Sequence, residues 1–131
     1  MSASAEYLAF IRDHLSGLGP ITTRRMFGGA GVFLGDAMFG LVADDTLYLR
    51  TDADLAEALA SEGSEAFTYT GQAKPITLPY WRLPDAALDD PDEALAWARR
   101  ALVPAEAAAA EKRTAKARKA ARKARGDRPK T

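Results

Sequence analysis

Two runs of β-forming residues joined by a very short link constrain the fold of this chain more than any other feature. Residues 38–43 and 46–50 are separated only by Asp44-Asp45, and a two-residue connection joins strands as an antiparallel hairpin. In the second run Leu47 and Leu49 share one face, as in a strand with one buried side. The sequence therefore predicts an antiparallel sheet.

The segments before this hairpin predict one helix and one strand. Apolar side chains at three- and four-residue spacings predict an amphipathic opening helix: Tyr7, Leu8, Phe10, Ile11, Leu15 and Leu18. Gly19 and Pro20 end this helix. A glycine-rich passage over residues 28–31 then leads into Val32-Phe33-Leu34, which predicts a short strand.

The segments after the hairpin predict a second helix and two more strands. Thr51 and the acid three residues after it form a variant capping box, which opens the helix. Residues 67–70 and 76–81 predict strands around a Gly71-Gln72 turn. Because Pro79 lacks a backbone N–H, we expect the latter strand to lie at a sheet edge or to end there.

A third helix begins at Asp90, where an acid at the N-cap and Pro91 at the first helical position form a strong start signal. Pro104 closes or kinks this helix. The order helix, three strands, helix, two strands, helix predicts an α+β two-layer sandwich, with an antiparallel sheet of about five strands backed by helices. We divide the chain accordingly into a folded domain over residues 1–104 and a tail over residues 105–131.

The net charge of zero hides a separation of charge along the chain. Residues 1–104 contain eight Lys and Arg against fifteen Asp and Glu, a net charge of −7, whereas residues 105–131 contain ten against three, a net charge of +7. An acidic domain with a basic appendage is typical of a protein whose tail binds a partner of opposite charge. The candidate nucleic-acid-binding residues of this tail are Lys112, Arg113, Lys116, Arg118, Lys119, Arg122, Lys123 and Arg125.

Residues 105–125 consist almost wholly of Ala, Lys, Arg and Glu, so the tail forms either a helix or an extended disordered arm. Alanine alone gives little to bury, and crowded like charges oppose an isolated helix, so we expect order mainly on binding. The leading partner is DNA or RNA, bound with little sequence preference because no residue of the tail is an identifiable reader of base edges. A solubilising tail, and a tail that binds an acidic protein or a membrane surface, are the alternatives.

Few residues of this chain suit catalysis, so we expect no enzymatic activity, no metal and no cofactor. The chain has no cysteine, which excludes disulfides and thiolate nucleophiles. Its single histidine, His14, fits a solvent-facing or capping role better than acid–base catalysis. The clustered aspartates stand where turns and helix caps already favour aspartate.

A glycine-rich passage beside two arginines is the candidate ligand site. Glycine lets backbone amides approach an anion, but residues 28–31 lack the Lys-Ser/Thr of a P-loop and the spacing of a dinucleotide-binding motif. A flexible or bulged entry into a strand is the better interpretation. Arg24 and Arg25 fit either an anionic ligand or the domain's own acids, and core packing explains Trp81 and Trp97 better than a binding groove. The candidate ligand or partner surface consists of Arg24, Arg25, Gly28, Gly29 and Trp81.

No segment of the sequence addresses the chain to a membrane or out of the cell. No apolar run approaches the about 18 residues that a membrane span needs. The first ten residues lack both a basic n-region and a long apolar h-region. We therefore expect a cytoplasmic protein without a membrane role.

Four separated blocks, in a fixed order and spacing, are more specific than any single motif. They are Arg24-Arg25-Met26-Phe27-Gly28-Gly29-Ala30-Gly31, Met38-Phe39-Gly40-Leu41-Val42-Ala43-Asp44-Asp45-Thr46-Leu47-Tyr48-Leu49, Phe67-Thr68-Tyr69 and Tyr80-Trp81-Arg82-Leu83-Pro84. Through them residues 5–103 resemble the N-terminal domain of the TfoX/Sxy regulators of bacterial competence. The resemblance implies a secretion-chaperone-like α+β fold, in which helices back an antiparallel sheet.

The resemblance also implies a function. Members of this family act as transcriptional co-activators of DNA-uptake genes together with the cyclic-AMP receptor protein, and the domain brings no catalytic residues with it. Full-length regulators carry a second helical domain where this chain carries its basic tail. We therefore expect a non-enzymatic regulatory protein whose domain contacts a transcription-regulator protein and whose tail contacts nucleic acid. The alternative is a chaperone-like or self-associating module, for example a homodimer, that binds protein through an exposed sheet face or edge.

Overall fold

Over residues 2–69 and 75–126, which the computed structural model describes, six strands form one antiparallel sheet accompanied by four α-helices. The helices are α1 (Ala5–His14), α2 (Ala53–Ser61), α3 (Asp85–Leu88) and α4 (Pro91–Gly126). The strands are β1 (Ile21–Met26), β2 (Gly29–Leu34), β3 (Ala37–Ala43), β4 (Thr46–Arg50), β5 (Ala66–Tyr69) and β6 (Ile76–Arg82). Their order across the sheet is β1-β2-β3-β4-β6-β5, and neighbouring strands are antiparallel throughout. The predicted α+β class with an antiparallel sheet is confirmed.

The described sheet has six strands rather than about five, because residues 21–26 form an additional strand, β1. This strand pairs with β2 along its whole length and lies at one edge of the sheet. Its centre, Arg24-Arg25, is charged and exposed, which obscures the apolar alternation of a strand. Charged side chains on an edge strand discourage pairing with other chains. Residues 29–31 of the glycine-rich passage therefore belong to β2 itself and are not a flexible or bulged entry into it.

The turns β1–β2 and β3–β4 are two-residue turns whose central residues all have positive φ. Phe27 and Gly28 have φ of 49° and 79°, and Asp44 and Asp45 have φ of 51° and 50°. Positive φ at both positions is typical of the type I′ hairpin turn, whose twist matches that of the strands. Glycine adopts this backbone without steric cost and aspartate tolerates it. For a bulky residue such as Phe27 it costs about 1–2 kcal/mol.

The main core lies between the sheet and the helices. Its largest fully buried side chains are Phe39, Ile11, Leu15, Leu47, Leu49, Leu55, Leu59, Val32 and Val42. Trp81 and Trp97 are partly buried against this core, so the core interpretation of both tryptophans is confirmed. A smaller cluster of Leu41, Ala43, Phe67 and Tyr80 lies on the other face of the sheet, because strand side chains alternate between the two faces.

Aspartates cap two of the helices. The Asp52 carboxylate, rather than Thr51, accepts a hydrogen bond from the Leu55 backbone N–H at 2.8 Å, so α2 begins one residue later than the sequence indicates. The predicted start of the last helix is confirmed, since the Asp90 carboxylate accepts a hydrogen bond from the Asp92 backbone N–H at 3.0 Å. These caps satisfy N–H groups that the first turn of a helix leaves without partners.

Strand β6 lies between β4 and β5, so the expectation that Pro79 places it at an edge or ends it is wrong. The β4 ladder engages β6 only from Tyr80 to Arg82, and the β5 ladder shifts register beside the proline. The missing N–H of Pro79 therefore falls where neither ladder needs it, while the Pro79 carbonyl accepts a hydrogen bond from the Thr51 N–H at 2.9 Å. The predicted Gly71-Gln72 turn lies outside the described residues.

Helix α4 continues through Pro104, so the expectation that this residue closes the helix is wrong, while the alternative of a kink stays a prediction. A stripe of small buried side chains lets α4 approach the sheet closely on both sides of the proline: Ala94, Ala98, Ala101, Ala105 and Ala109. Packing of both halves offsets the hydrogen bond that a proline removes. The packed part of α4 therefore extends past residue 104 to Ala109.

Candidate nucleic-acid interface

The C-terminal part of α4 extends beyond the core as an exposed helix, which we call the basic arm (residues 110–126). Each residue from 110 to 125 is exposed. The predicted nucleic-acid-binding cations all lie on it: Lys112, Arg113, Lys116, Arg118, Lys119, Arg122, Lys123 and Arg125. Within residues 2–69 and 75–126 no helix, α4 included, is long and apolar enough to cross a membrane.

Seven of the eight cations in residues 110–125 fall into two sets on different sides of the helix, and Arg113 belongs to neither. With 3.6 residues per turn, positions spaced by three and four lie one above the other. The lysine stripe consists of Lys112, Lys116, Lys119 and Lys123. The arginine stripe consists of Arg118, Arg122 and Arg125. Each stripe presents a row of charges along one line, which is the arrangement that a linear polyanion can follow.

The arm is helical in the isolated chain, whereas we expected order mainly on binding. Starting a helix is the unfavourable step, and adding residues to an existing helix costs little for good helix formers such as Ala, Lys and Arg. The packed segment before Ala109 supplies that start. The arm therefore extends a helix that tertiary contacts have already stabilised.

A hydrogen bond ties the arm to the body. The Arg113 guanidinium donates a hydrogen bond to the carboxylate of Asp36, at the turn between β2 and β3. This hydrogen bond holds the pKa of Asp36 below its usual value. An exposed pair of this kind contributes little to stability, but it joins the base of the arm to the edge of the sheet.

A groove of about 1080 Å³ lies between the base of the arm and the sheet; we call it the basic groove. Its cations are Arg24, Arg50, Lys112, Arg113 and Lys116, and among its described lining residues the only carboxylate is Asp36. Its apolar lining is Met26, Phe27, Phe33, Met38, Tyr80, Ala105, Ala108 and Ala109. A cationic groove with an apolar floor suits a ligand that carries both negative charge and an apolar or aromatic part.

The two sheet arginines of this groove each lie over an aromatic ring. The guanidinium carbon of Arg24 is 5.2 Å from the centre of the Phe33 ring, and that of Arg50 is 5.6 Å from the centre of the Tyr80 ring. Such contacts hold the guanidinium groups in place by cation–π attraction. Among the described residues neither arginine has a carboxylate partner, and the buried Nε of Arg50 has no hydrogen-bond acceptor.

Arg24 is the one residue of the predicted ligand surface that lines this groove. Arg24 is opposite Gly31 and Arg25 is opposite Ala30 in the β1–β2 ladder, so the two arginines project from opposite faces of the sheet. Arg25 instead donates a hydrogen bond to the carbonyl oxygen of Ala3 at 2.7 Å. The neighbouring arginines therefore do not form one site.

The other three residues of the predicted ligand surface have roles in the fold. Gly28 completes the β1–β2 turn, and Trp81 packs against the main core. Gly29 is buried, and a Cβ built on it would lie 2.2 Å from the carbonyl oxygen of Val42 on β3. The glycine at position 29 thus allows the backbones of β2 and β3 to come together.

Sequence reasoning missed Phe27, Arg50 and Tyr80 as groove residues. Tyr80 is opposite Arg50 in the β4–β6 ladder, a pairing between distant segments that no local pattern reveals. Phe27 carried a usable signal, because an aromatic residue before glycine in a two-residue turn is exposed and strained. Its φ of 49° and its exposure of 84% bear this out.

His14 has a structural environment that accounts for it. The residue is buried, its ring stacks on Phe10, and its Nε2 lies 2.7 Å from the carbonyl oxygen of Ala87 on α3. Since a carbonyl oxygen only accepts, Nε2 donates this hydrogen bond. The solvent-facing role is therefore wrong, and His14 binds a carbonyl oxygen of α3 rather than capping its own helix, whose C-cap is Leu15. Over residues 2–69 and 75–126, no three His, Cys, Asp or Glu side chains are grouped to hold a metal ion.

Comparison with known proteins identifies the folded part of this chain. The model of the TfoX N-terminal domain matches residues 13–105, which is most of the sequence. The chain belongs to the TfoX N-terminal domain family.

Two relatives of this TfoX domain show how far the similarity extends. DNA transformation protein TfoX1 of Aliivibrio fischeri (strain ATCC 700601 / ES114) is 32% identical over 85 residues, which are 65% of this chain and 41% of that protein. Protein Sxy of Escherichia coli (strain K12) is 29% identical over 75 residues, which are 57% of this chain and 36% of that protein. The chain therefore spans about two fifths of the length of these relatives.

The match to the TfoX domain ends before the basic arm begins. Residue 105 is the last that the family model covers, whereas the arm starts at residue 110. The sheet wall of the basic groove, with Arg24 and Arg50, belongs to the TfoX domain. The helical wall, with Lys112 and Lys116, lies beyond it.

Proposed function

We propose that this TfoX-domain protein is a non-enzymatic regulator that binds nucleic acid through its basic arm, while its acidic domain contacts a protein partner such as a transcription regulator. The name of the Aliivibrio fischeri relative, DNA transformation protein, supports a role in DNA transformation. The family model covers residues 13–105, which hold the folded domain and not the arm. We therefore assign the regulatory contact to the domain and the nucleic-acid contact to the arm.

The observation that carries the nucleic-acid proposal is the exposed, helical row of cations after Ala109. Residues 110–125 hold eight Lys and Arg against one acid, Glu111, and only Arg113 is paired with a carboxylate of the body among the described residues. Unpaired cations in a regular row favour a partner with regularly spaced anions, because each contact releases a condensed counterion from the nucleic acid.

On this proposal the arm binds nucleic acid with little preference for base sequence. Its side chains are lysine, arginine and alanine with single Thr114 and Glu111, and contacts from lysine and arginine to phosphates carry no sequence information. DNA and RNA duplexes should therefore both bind, and scrambling the base sequence should leave the affinity nearly unchanged.

The test compares the intact chain with a chain that ends after Ala110. This end point retains Ala105 and Ala109, so the core contacts of α4 are kept. For the intact chain we expect log affinity for duplex DNA to fall with log salt by about 0.9 per neutralised phosphate. The shortened chain should bind more weakly and show a much flatter dependence.

A full-length control separates charge from length. Glutamine at all eight arm cations keeps residues of good helix propensity while it removes the charge, so this variant should behave like the shortened chain. If the intact chain, the shortened chain and the glutamine variant bind duplex DNA with the same affinity and salt dependence, the proposal is wrong.

A further inference from the structure

Phe27 stands at a turn position whose backbone disfavours a bulky residue, and its apolar ring is exposed to solvent. The first central position of a type I′ turn favours Asn, Asp or Gly, yet a phenylalanine stands there with φ of 49°. Its side chain is 84% exposed, so burial does not stabilise the strained backbone. A strained backbone that presents an exposed aromatic ring points to a contact with a partner.

The ring of Phe27 borders the basic groove beside Met26, Phe33 and Met38. The three latter side chains surround Gly31, since a Cβ at that glycine would lie within 3.1 Å of each of them. Because Gly31 has no side chain, these three apolar side chains can come together over it and line the groove. An aromatic or planar group could lie on this floor.

Cations surround this apolar floor on two sides. Arg24 and Arg50 come from the sheet, and Lys112 and Lys116 come from the arm. The two lysines are also the first members of the lysine stripe, so the positive charge of the groove continues along the arm without a break. Asp36, the single acid among the described lining residues, is already paired with Arg113.

We infer that the basic groove binds single-stranded nucleic acid, with a base stacked on Phe27 and phosphates held by Arg24, Arg50, Lys112 and Lys116. This inference rests on the proposed function, because it extends the path of the polyanion from the arm onto the TfoX domain. Base stacking on an aromatic ring needs an unpaired base, since in a duplex both faces of each base are covered by neighbours. The groove therefore favours single strands, whereas the arm binds both forms.

The exposed ring of Phe27 and the lysine row beyond the groove are the argument for nucleic acid over a protein segment. An acidic peptide would match the cations, but it would not need a strained aromatic ring at the rim or a row of lysines that continues beyond the groove. A nucleic-acid strand supplies a phosphate and a planar base in every repeat, and so matches both features.

The experiment measures the affinity of the full chain for labelled oligothymidine and for a duplex of the same length. The test variants are Phe27→Asn, which removes the ring and relaxes the turn, and Arg24→Gln. Phe27→Trp keeps an aromatic ring. The matched charge control is Arg99→Gln, which removes an exposed arginine of α4 that does not line the groove.

We expect Phe27→Asn to weaken binding of the single strand about tenfold, within the range of one stacked base, and to leave duplex affinity unchanged. Phe27→Trp should retain single-strand binding. Arg24→Gln should weaken single-strand binding and lower its salt dependence by about 0.7, the value for one phosphate contact. Arg99→Gln should match the unmodified protein.

Thermal unfolding separates this role from a structural one. Asparagine suits the turn better than phenylalanine, so Phe27→Asn should unfold at the same or a higher temperature than the unmodified protein while it loses single-strand affinity. The inference is overturned if Phe27→Asn and Arg24→Gln bind oligothymidine normally, even where the arm variants confirm the proposed function. It is also overturned if free thymidine monophosphate or polyglutamate competes as well as the strand.

Discussion

Replacing the lysine stripe of the basic arm should lower the salt dependence of nucleic-acid binding far more than replacing the arginine stripe. Lys112 and Lys116 line the basic groove, and Lys119 and Lys123 follow on the same side of the helix. A polyanion that lies in the groove and continues along the arm therefore meets the lysines. The arginine stripe is on another side of the helix and would remain in solvent.

The helix geometry gives the size of this effect. From Lys112 to Lys123 the arm rises about 16 Å, over which one nucleic-acid strand carries on the order of five phosphates. Four lysines can therefore each meet a phosphate. Glutamine at all four positions should flatten the slope of log affinity against log salt by about 2.8 for a single strand.

The assay is a fluorescence-anisotropy titration over a series of salt concentrations. The matched control is the arginine variant, in which glutamine replaces Arg118, Arg122 and Arg125. Glutamine has nearly the helix propensity of lysine and arginine, and circular dichroism should confirm that both variants keep the arm. The arginine variant should change the slope by less than about 1. Equal changes for each removed charge in both variants would refute the reasoning, because binding would then depend on total charge and not on the side of the helix.

Three further predictions concern the fold and the base of the arm. Pro104→Ala should raise the free energy of unfolding by about 2 kcal/mol in urea denaturation, because alanine restores a helix hydrogen bond and costs only a little extra entropy in the unfolded chain. Gly29→Ala should lower it by about 2 kcal/mol, since the new Cβ would meet the carbonyl of Val42 at 2.2 Å, whereas Gly17→Ala meets mainly the ends of the flexible Leu95 side chain and should cost less. Arg113→Gln should raise the pKa of Asp36 toward its usual value in an NMR titration, because the hydrogen bond from Arg113 is the largest cause of its lowering. In the unmodified protein the stabilisation from this pair is therefore present above the usual pKa of Asp36 and is lost as the pH falls through the lowered value.

The parts of the fold that sequence reasoning found are those with a local cause. The Asp44-Asp45 link adopts positive φ at both residues, as a two-residue hairpin turn requires, and the cap at Asp90 forms as its pattern indicates. Strand β1 was missed because its charged residues suit an edge, where pairing on one side replaces apolar alternation. The expectation for Pro79 was wrong for a related reason. The register of both neighbouring strands decides whether a strand position needs its N–H.

Sequence reasoning likewise finds one part of the candidate site and misses the other. The basic arm can be predicted, since composition alone marks it. The basic groove cannot, because it joins Arg50 of β4 to Lys112 of α4, and this depends on a helix that continues past Pro104. Local helix propensity instead predicts that the helix ends or kinks at that proline. Ala105 and Ala109 are buried in the core after the proline, and these tertiary contacts favour a continuous helix.

The acids of the folded body lie almost entirely outside the basic groove, and this placement directs an approaching polyanion toward the groove and the arm. Of the fifteen acids within residues 1–104, all of which the structure describes, only Asp36 lines the basic groove. A polyanion that approaches another side of the body therefore meets net negative charge within the roughly 10 Å over which charges act at 0.1 M salt. Approach on the groove side is attractive at every step. Nucleic acid should consequently be steered toward the base of the arm, so that salt slows the association rate as well as weakening the complex.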